Sequence, residues 1–193
     1  MTFALVGRRT RCGTDPGESD LIAAARSGDE DAWEELYVRV YPRLFAYLAK
    51  RLGRSEAEDA VNETMTRAVA GLSRYRPGPA GFEGWLFGIA RHVSLDHQRR
   101  TARRPRHAPA LVPDPPVDGG LGDGLELAAD HLQVRRAYEA LSPADREVLD
   151  LRVVAGLSVE QTAAALSRRP GAVRTAQSRA LARLRTLMER VDD

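Results

Sequence analysis

The chain has 193 residues, 43% hydrophobic and 6% aromatic, with a formal net charge of +2. That length exceeds what one small domain needs and suffices for two compact helical ones with aliphatic cores. A single cysteine, Cys12, excludes an internal disulfide or a cysteine zinc cluster, and no apolar run approaches the roughly 18 residues of a membrane span.

Met1 to Ser19 lacks periodicity and reads as a disordered extension. Its stretch Thr2 to Val6 is too short for a signal-peptide core, and arginines follow it instead of preceding it, so a cytoplasmic protein is expected. From Asp20 the pattern turns helical. Trp33, Leu36, Tyr37, Val40, Leu44 and Leu48 recur at three- and four-residue steps on one face, with Pro42 expected to kink or divide the run. Ser55 and Glu58 have capping-box spacing for a second helix with Val61, Met65, Ala68, Val69 and Leu72 inward. After the turn-forming Pro77 to Gly81, a third amphipathic helix carries Phe82, Trp85, Leu86, Ile89 and Val93. These define a first helical domain, 20–104.

Residues 105–124 are rich in proline, glycine and acids and read as a flexible linker. Gly120, Gly122 and Gly124 do not make a phosphate loop, since no strand precedes them and no lysine follows. A second domain, 125–193, opens with Leu132, Ala137, Tyr138 and Leu141 in helical period. Ser142-Pro143 supplies an N-cap and a first-turn proline for a helix bearing Val148, Leu149 and Val153 and ending at Gly156. Ser158 and Gln161 form another capping box. After the turn Ser167 to Pro170 comes a last helix with Val173, Ala180, Leu181, Leu184 and Leu187 inward. No strand pattern occurs, so the fold class is all-α: two small helical domains joined by a linker.

Charge is segregated. Six arginines lie between Arg91 and His107 against one acid, Asp96; five acids and no Lys or Arg lie between Ala108 and Gln133; seven arginines lie between Arg168 and Arg190 against Glu189. Two basic blocks divided by an acidic stretch fit two polyanion-binding surfaces on a tether. Val159 to Arg183 has helix-turn-helix layout: Ala163 is small where helices cross, Ser167 lies in the tight turn and Val173 packs the second helix on the first. An ordinary helical hairpin would show the same apolar spacing. The opposite face separates the two readings, because Arg174, Thr175, Gln177, Ser178 and Arg179 cluster where such motifs face the major groove. Arg168, Arg169 and Arg183 flank them as phosphate anchors.

At this point the chain resembles a known family. Leu141-Ser142-Pro143-Ala144-Asp145-Arg146-Glu147-Val148-Leu149, Gly156-Leu157-Ser158-Val159-Glu160-Gln161-Thr162-Ala163 and Gly171-Ala172-Val173-Arg174-Thr175 resemble region 4 of sigma-70-family factors, which binds the −35 promoter element. Asp20-Leu21-Ile22 through Phe45 resembles the opening of region 2. Asp59-Ala60-Val61-Asn62-Glu63-Thr64-Met65 resembles the helix that docks on the polymerase clamp, and Phe82 through His92 resembles the part that reads and melts the −10 element. With two domains and a linker, the chain is similar to the extracytoplasmic-function (ECF) subgroup.

The resemblance implies core RNA polymerase and promoter DNA as partners, an anti-sigma factor as regulator, and no cofactor. It implies polymerase contacts at Asp59, Asn62 and Glu63, although the family usually has Gln where Asn62 stands. It implies −10 contacts through Phe82, Arg91, His92, Asp96, Arg99 and Arg100. Melting needs an apolar wall and polar edges for an unstacked base, which Phe82 and His92 could supply. Phe82 could equally be a hydrophobic staple of its helix, and Trp85 reads as core. In the family the linker threads the polymerase cleft; an acidic spacer fits that path or a plain tether.

Two other classes compete. A stand-alone helix-turn-helix regulator would bind DNA without polymerase and carry a ligand pocket or dimer face. An enzyme would need convergent groups, but the carboxylates sit at surface helical positions and His92, His97, His107 and His131 lack metal spacing. No catalytic and no metal site is expected.

Overall fold

The computed structural model describes residues 17–103 and 124–189. The expected extension up to Pro16, with Cys12, and the expected linker up to Asp123 lie outside the described residues. The described residues form eight α-helices and no strand: α1 Glu18–Arg26, α2 Glu30–Leu52, α3 Arg54–Gly71, α4 Gly81–Arg103, α5 Gly124–Glu139, α6 Pro143–Leu149, α7 Val159–Ala165 and α8 Pro170–Glu189. A 3-10 turn, Leu72–Arg74, follows α3, and a π turn, Asp150–Val154, follows α6.

Helices α1 to α4 form the first bundle around Leu36, Leu44, Leu48, Val61, Leu86 and Val93. Pro42 does not divide α2, which runs continuously through it. Pro42 lies on the outer face, one turn after Val38, which is 59% exposed. The carbonyl that Pro42 leaves without a donor therefore faces the solvent side, while Leu36, Val40, Leu44, Tyr47 and Leu48 bury the other side both before and after it.

The expected capping box at Ser55 does not form. Gly53, at φ +87°, ends α2 and starts α3 within one residue, so Ser55 already lies inside the helix. Helix α4 is capped from a distance instead: the Phe82 N–H donates to Glu18 Oε1 of α1 at 2.9 Å. Arg26 of α1 donates to the carbonyls of Leu72 and Tyr75, tying down the segment that leads into α4.

The second bundle has a smaller core of its own, Leu141, Leu149 and Ala180 with Tyr138, Leu181, Leu184 and Leu187 against it. Ser142 caps α6 as expected, with Pro143 in its first turn. The π turn then changes the phase of the chain. Leu151 is fully buried and Val153, expected inward, is 65% exposed. Val69 on α3, also expected inward, is exposed as well.

The two bundles do not stand apart. Val148, Leu151, Ala155, Leu157, Ala165 and Leu166 pack into the same apolar core as the first bundle. Helix α7 lies on α4, and the π turn lies on α2. Gly84 makes the close crossing possible, since a Cβ there would stand 3.1 Å from Gln161 Cα; one on Gly88 would meet Ala165 Cα at 3.7 Å, an ordinary contact distance.

Candidate nucleic-acid and polymerase interface

Helices α7 and α8 form the expected helix-turn-helix. Ser158 and Gln161 close a reciprocal capping box, at 3.1 Å from Gln161 N–H to Ser158 Oγ and 2.7 Å from Ser158 N–H to Gln161 Oε1. Ala163 and Val173 are buried at the crossing. Ser167 takes φ +52° in the turn, a left-handed conformation that glycine adopts more cheaply.

The outer face of α8 is open. Arg174, Thr175, Ser178 and Arg179 are exposed, as are Arg168 and Arg169 before it. Gln177 is half-buried and its Oε1 accepts from Arg152 Nε at 2.9 Å. Arg174 donates to Glu160 at 3.3 Å, and Arg183 donates to Asp145. Asp145 also accepts from the Ser142 hydroxyl at 2.8 Å. Burial pushes the Asp145 carboxyl up, but the Ser142 bond and the Arg183 charge outweigh it and leave its pKa below the ordinary value.

Among the described residues the chain thus carries a helix-turn-helix with a basic outer face after a four-helix bundle. A sigma-70 region 2 family model matches residues 36–104, and a sigma-70 region 4 model matches residues 131–184. Over 179 residues the chain is 35% identical to the ECF RNA polymerase sigma factor ShbA of Streptomyces griseus, covering 88% of this chain and 94% of that one. The chain belongs to the sigma-70 family, in its ECF group.

This sigma factor is also 35% identical over 172 residues to the ECF RNA polymerase sigma factor SigD of Mycobacterium tuberculosis, covering 86% of this chain and 81% of that one. Among solved structures, a sigma factor RpoE in complex with the anti-sigma factor NepR from Bartonella quintana matches at TM-score 0.59 and 25% identity, over 81% of this chain and 96% of that one. CnrH, solved with the cytosolic domain of CnrY, shares the fold at TM-score 0.64 and 24% identity, over 88% and 95% of the two chains.

The residues expected at −10 fall into three environments on α4. Phe82 is interior, 1% exposed, with its ring against Tyr75 and Trp85. In this structure its ring packs inside the helix start and is not exposed. Trp85, expected in the core, is only partly buried and lines an open groove of about 590 Å³ together with Tyr75, Ile89, His92, Arg74 and Arg76. His92 is exposed, with Nδ1 2.7 Å from the Gly88 carbonyl oxygen. Arg91 is turned to the second bundle and donates to Glu147 at 2.9 and 3.4 Å. Arg99 and Arg100 project outward at the end of the helix, and Asp96 pairs with Arg67 at 3.3 Å.

On α3, Asp59 and Asn62 are exposed. Glu63 is not free: it pairs with Arg67, with His97 Nε2 at 2.9 Å and with Arg100 at 3.6 Å. Burial raises its pKa, but the His97 bond and the two arginine charges bring it below the usual carboxylate value. The helix expected to touch polymerase is therefore linked by ion pairs to the helix expected to touch DNA, through Glu63 and through Arg67–Asp96.

A second set of residues carries no site expectation from sequence. Arg51 reaches Glu147 at 3.7 Å and Asp150 at 3.5 Å. Arg43 donates to Glu83 at 2.6 Å and to the Ala155 carbonyl at 2.7 Å, while Gln161 donates to Glu83 at 2.8 Å. The available signal is that Glu147 and Asp150 flank the apolar Val148 and Leu149 where α6 passes into the π turn. Among the described residues no cluster of His, Cys, Asp and Glu could hold a metal, and no helix is long and apolar enough to cross a membrane.

Proposed function

We propose that this sigma factor binds core RNA polymerase through the outer face of α3 and directs initiation by reading −10 with α4 and −35 with α8. One observation carries the reading: a single chain presents a helix-turn-helix with an open arginine face and, on the separate helix α4, an aromatic groove along its first half and exposed Arg99 and Arg100 towards its end. Arg174, Thr175, Gln177, Ser178 and Arg179 address base edges, and Arg168, Arg169 and Arg183 address phosphates. Asp59, Asn62 and Glu63 contact polymerase.

In the −10 set, His92, Asp96, Arg99 and Arg100 serve DNA, with Trp85 and Tyr75 taking the stacking part first assigned to Phe82. Arg91 joins them once it leaves Glu147. The units involved are 20–104 and 125–193, with 105–124 as tether. Binding energy is spent on strand separation; no cofactor enters, and phosphoryl transfer belongs to the polymerase, so the chain itself is no enzyme. It works in the cytoplasm, where polymerase is. An anti-sigma protein is its expected regulator, in line with solved relatives that carry one.

The test is reconstitution. Purified chain added to core enzyme should co-elute with it and yield defined transcripts from a genomic library. Sequence-specific DNA binding without polymerase, and no association with core, would return the assignment to a stand-alone regulator.

A further inference from the structure

We infer that His92 selects among bases taken into the α4 groove: its Nε2 accepts a hydrogen bond and so favours the amino bases, adenine and cytosine, over the keto bases, guanine and thymine. The inference rests on the −10 reading of α4 proposed above and adds the class of base that the groove takes.

The groove supplies a seat but little selection of its own. Trp85 and His92 stand two turns apart on α4 and share the face that lines it, while Arg74 and Arg76 come from the segment that leads into the helix. The Trp85 ring is held in place: a Cβ on Gly71 would stand 3.1 Å from its Cζ2, and the Tyr75 ring lies 5.1 Å away between centroids. A base stacked on that ring gains the same contact whatever its edge, because every base has a π face. The two arginines place positive charge where phosphates flank a base, and a guanidinium only donates hydrogen bonds. Selection therefore falls to another polar side chain.

His92 has its hydrogen-bonding sense set by its own helix. Its Nδ1 stands 2.7 Å from the Gly88 carbonyl oxygen. A carbonyl oxygen only accepts, so Nδ1 carries the proton and donates. In a neutral imidazole the other nitrogen then bears a lone pair and accepts. His92 is exposed, and among the described residues Nε2 meets no partner. Tyr75, the other groove side chain able to accept, is only 5% exposed. Adenine N6 and cytosine N4 bear hydrogens, whereas guanine O6 and thymine O4 at the corresponding position bear lone pairs. Nε2 makes a hydrogen bond with the first pair. Against the second it sets lone pair on lone pair and leaves both groups unsatisfied.

The experiment uses the full chain with core enzyme, on a promoter recovered from the genomic library, at a mildly alkaline pH that keeps an exposed imidazole neutral. Templates are left unpaired across the −10 element so that base-pair strength drops out, and each non-template base is varied in turn. One position should favour adenine and cytosine over guanine and thymine by about tenfold in yield of open complex. Purine, which has the ring system of adenine without its amino group, should lose most of that advantage there. His92→Phe should erase the preference, and His92→Arg, which only donates, should turn it toward guanine and thymine. The absence of any such position, a preference that survives His92→Phe, or purine performing as well as adenine would overturn the inference. These readouts are ratios between templates for one holoenzyme, so their failure leaves the sigma-factor reading standing. A chain that neither associates with core nor yields transcripts on any template sinks that reading, and the inference with it.

Discussion

Gln161 of α7 donates its amide to the Glu83 carboxylate of α4 at 2.8 Å, while its amide oxygen accepts from the Ser158 N–H at the start of its own helix. One side chain thus caps α7 and pins it to the other bundle. Glutamate can keep the cap but not the pin, because it would face Glu83 with like charge. Gln161→Ala should cost about 1 kcal/mol of stability through the cap. Gln161→Glu should retain the midpoint of thermal unfolding more closely than Gln161→Ala, yet expose the α4–α7 seam to limited proteolysis.

The exchange of roles between Phe82 and Trp85 separates fold from function. Phe82→Ala would leave a cavity in the bundle and should cost about 3–5 kcal/mol in chemical denaturation. Trp85→Ala removes a half-buried ring from the groove. It should lose less stability but depress formation of open promoter complexes, read by permanganate footprinting with saturating core enzyme.

Arg174 and Arg179 should contribute discrimination, and Arg100 general affinity. Alanine at either of the first two should cost about 1–3 kcal/mol on cognate −35 DNA relative to scrambled DNA. Alanine at Arg100 should weaken all sequences alike and flatten the dependence on salt. Holoenzyme binding to both DNAs across a salt series distinguishes them, and equal loss on cognate and scrambled −35 DNA would refute the Arg174 and Arg179 roles.

Asp145 gives the second bundle an acid limit. Its pKa lies below the ordinary value in the folded state, so the folded protein binds fewer protons there than the unfolded chain. The resulting stability is fully present above the unfolded value, about 3.9, and is lost as pH falls through the folded one. Asp145→Asn should therefore lower the unfolding midpoint at neutral pH and converge on the unsubstituted protein in acid. Asp150 acts in the opposite sense: burial raises its pKa despite the Tyr138 bond and the Arg51 charge, so its ionisation opposes folding at neutral pH and protonation relieves that cost.

Ser167 holds φ +52° with a side chain. Ser167→Gly should raise stability by about 1 kcal/mol, because relief of the left-handed strain exceeds the added freedom of glycine in the unfolded chain. Thermal unfolding of the pair checks the sign.

Much of this fold was legible because it is written locally. Helical period marks the inward faces of α2 and α4, and Ser142-Pro143 and Ser158/Gln161 mark two helix starts that the structure reproduces. What sequence did not disclose depends on distant partners. Glu18 caps α4 from more than sixty residues away, and Gly53 replaces the Ser55 box because two helices meet within one residue. Phe82 and Trp85 are both aromatic at an amphipathic helix start, and only the packing of Tyr75 beside them decides which is interior. In the basic face of α8 the exposed arginines were readable from composition, but their commitments to Glu160 and Asp145 were not.

The π turn at Asp150–Val154 has a consequence for how α6 can evolve. It accommodates one more residue than a regular helix of the same span, and that surplus is what aims Asp150 and Leu151 at the first bundle while Val153 points away. Deleting a single residue there would restore ordinary winding, rotate everything downstream by roughly 100°, and uncouple the recognition helix from its neighbour without altering one arginine on it.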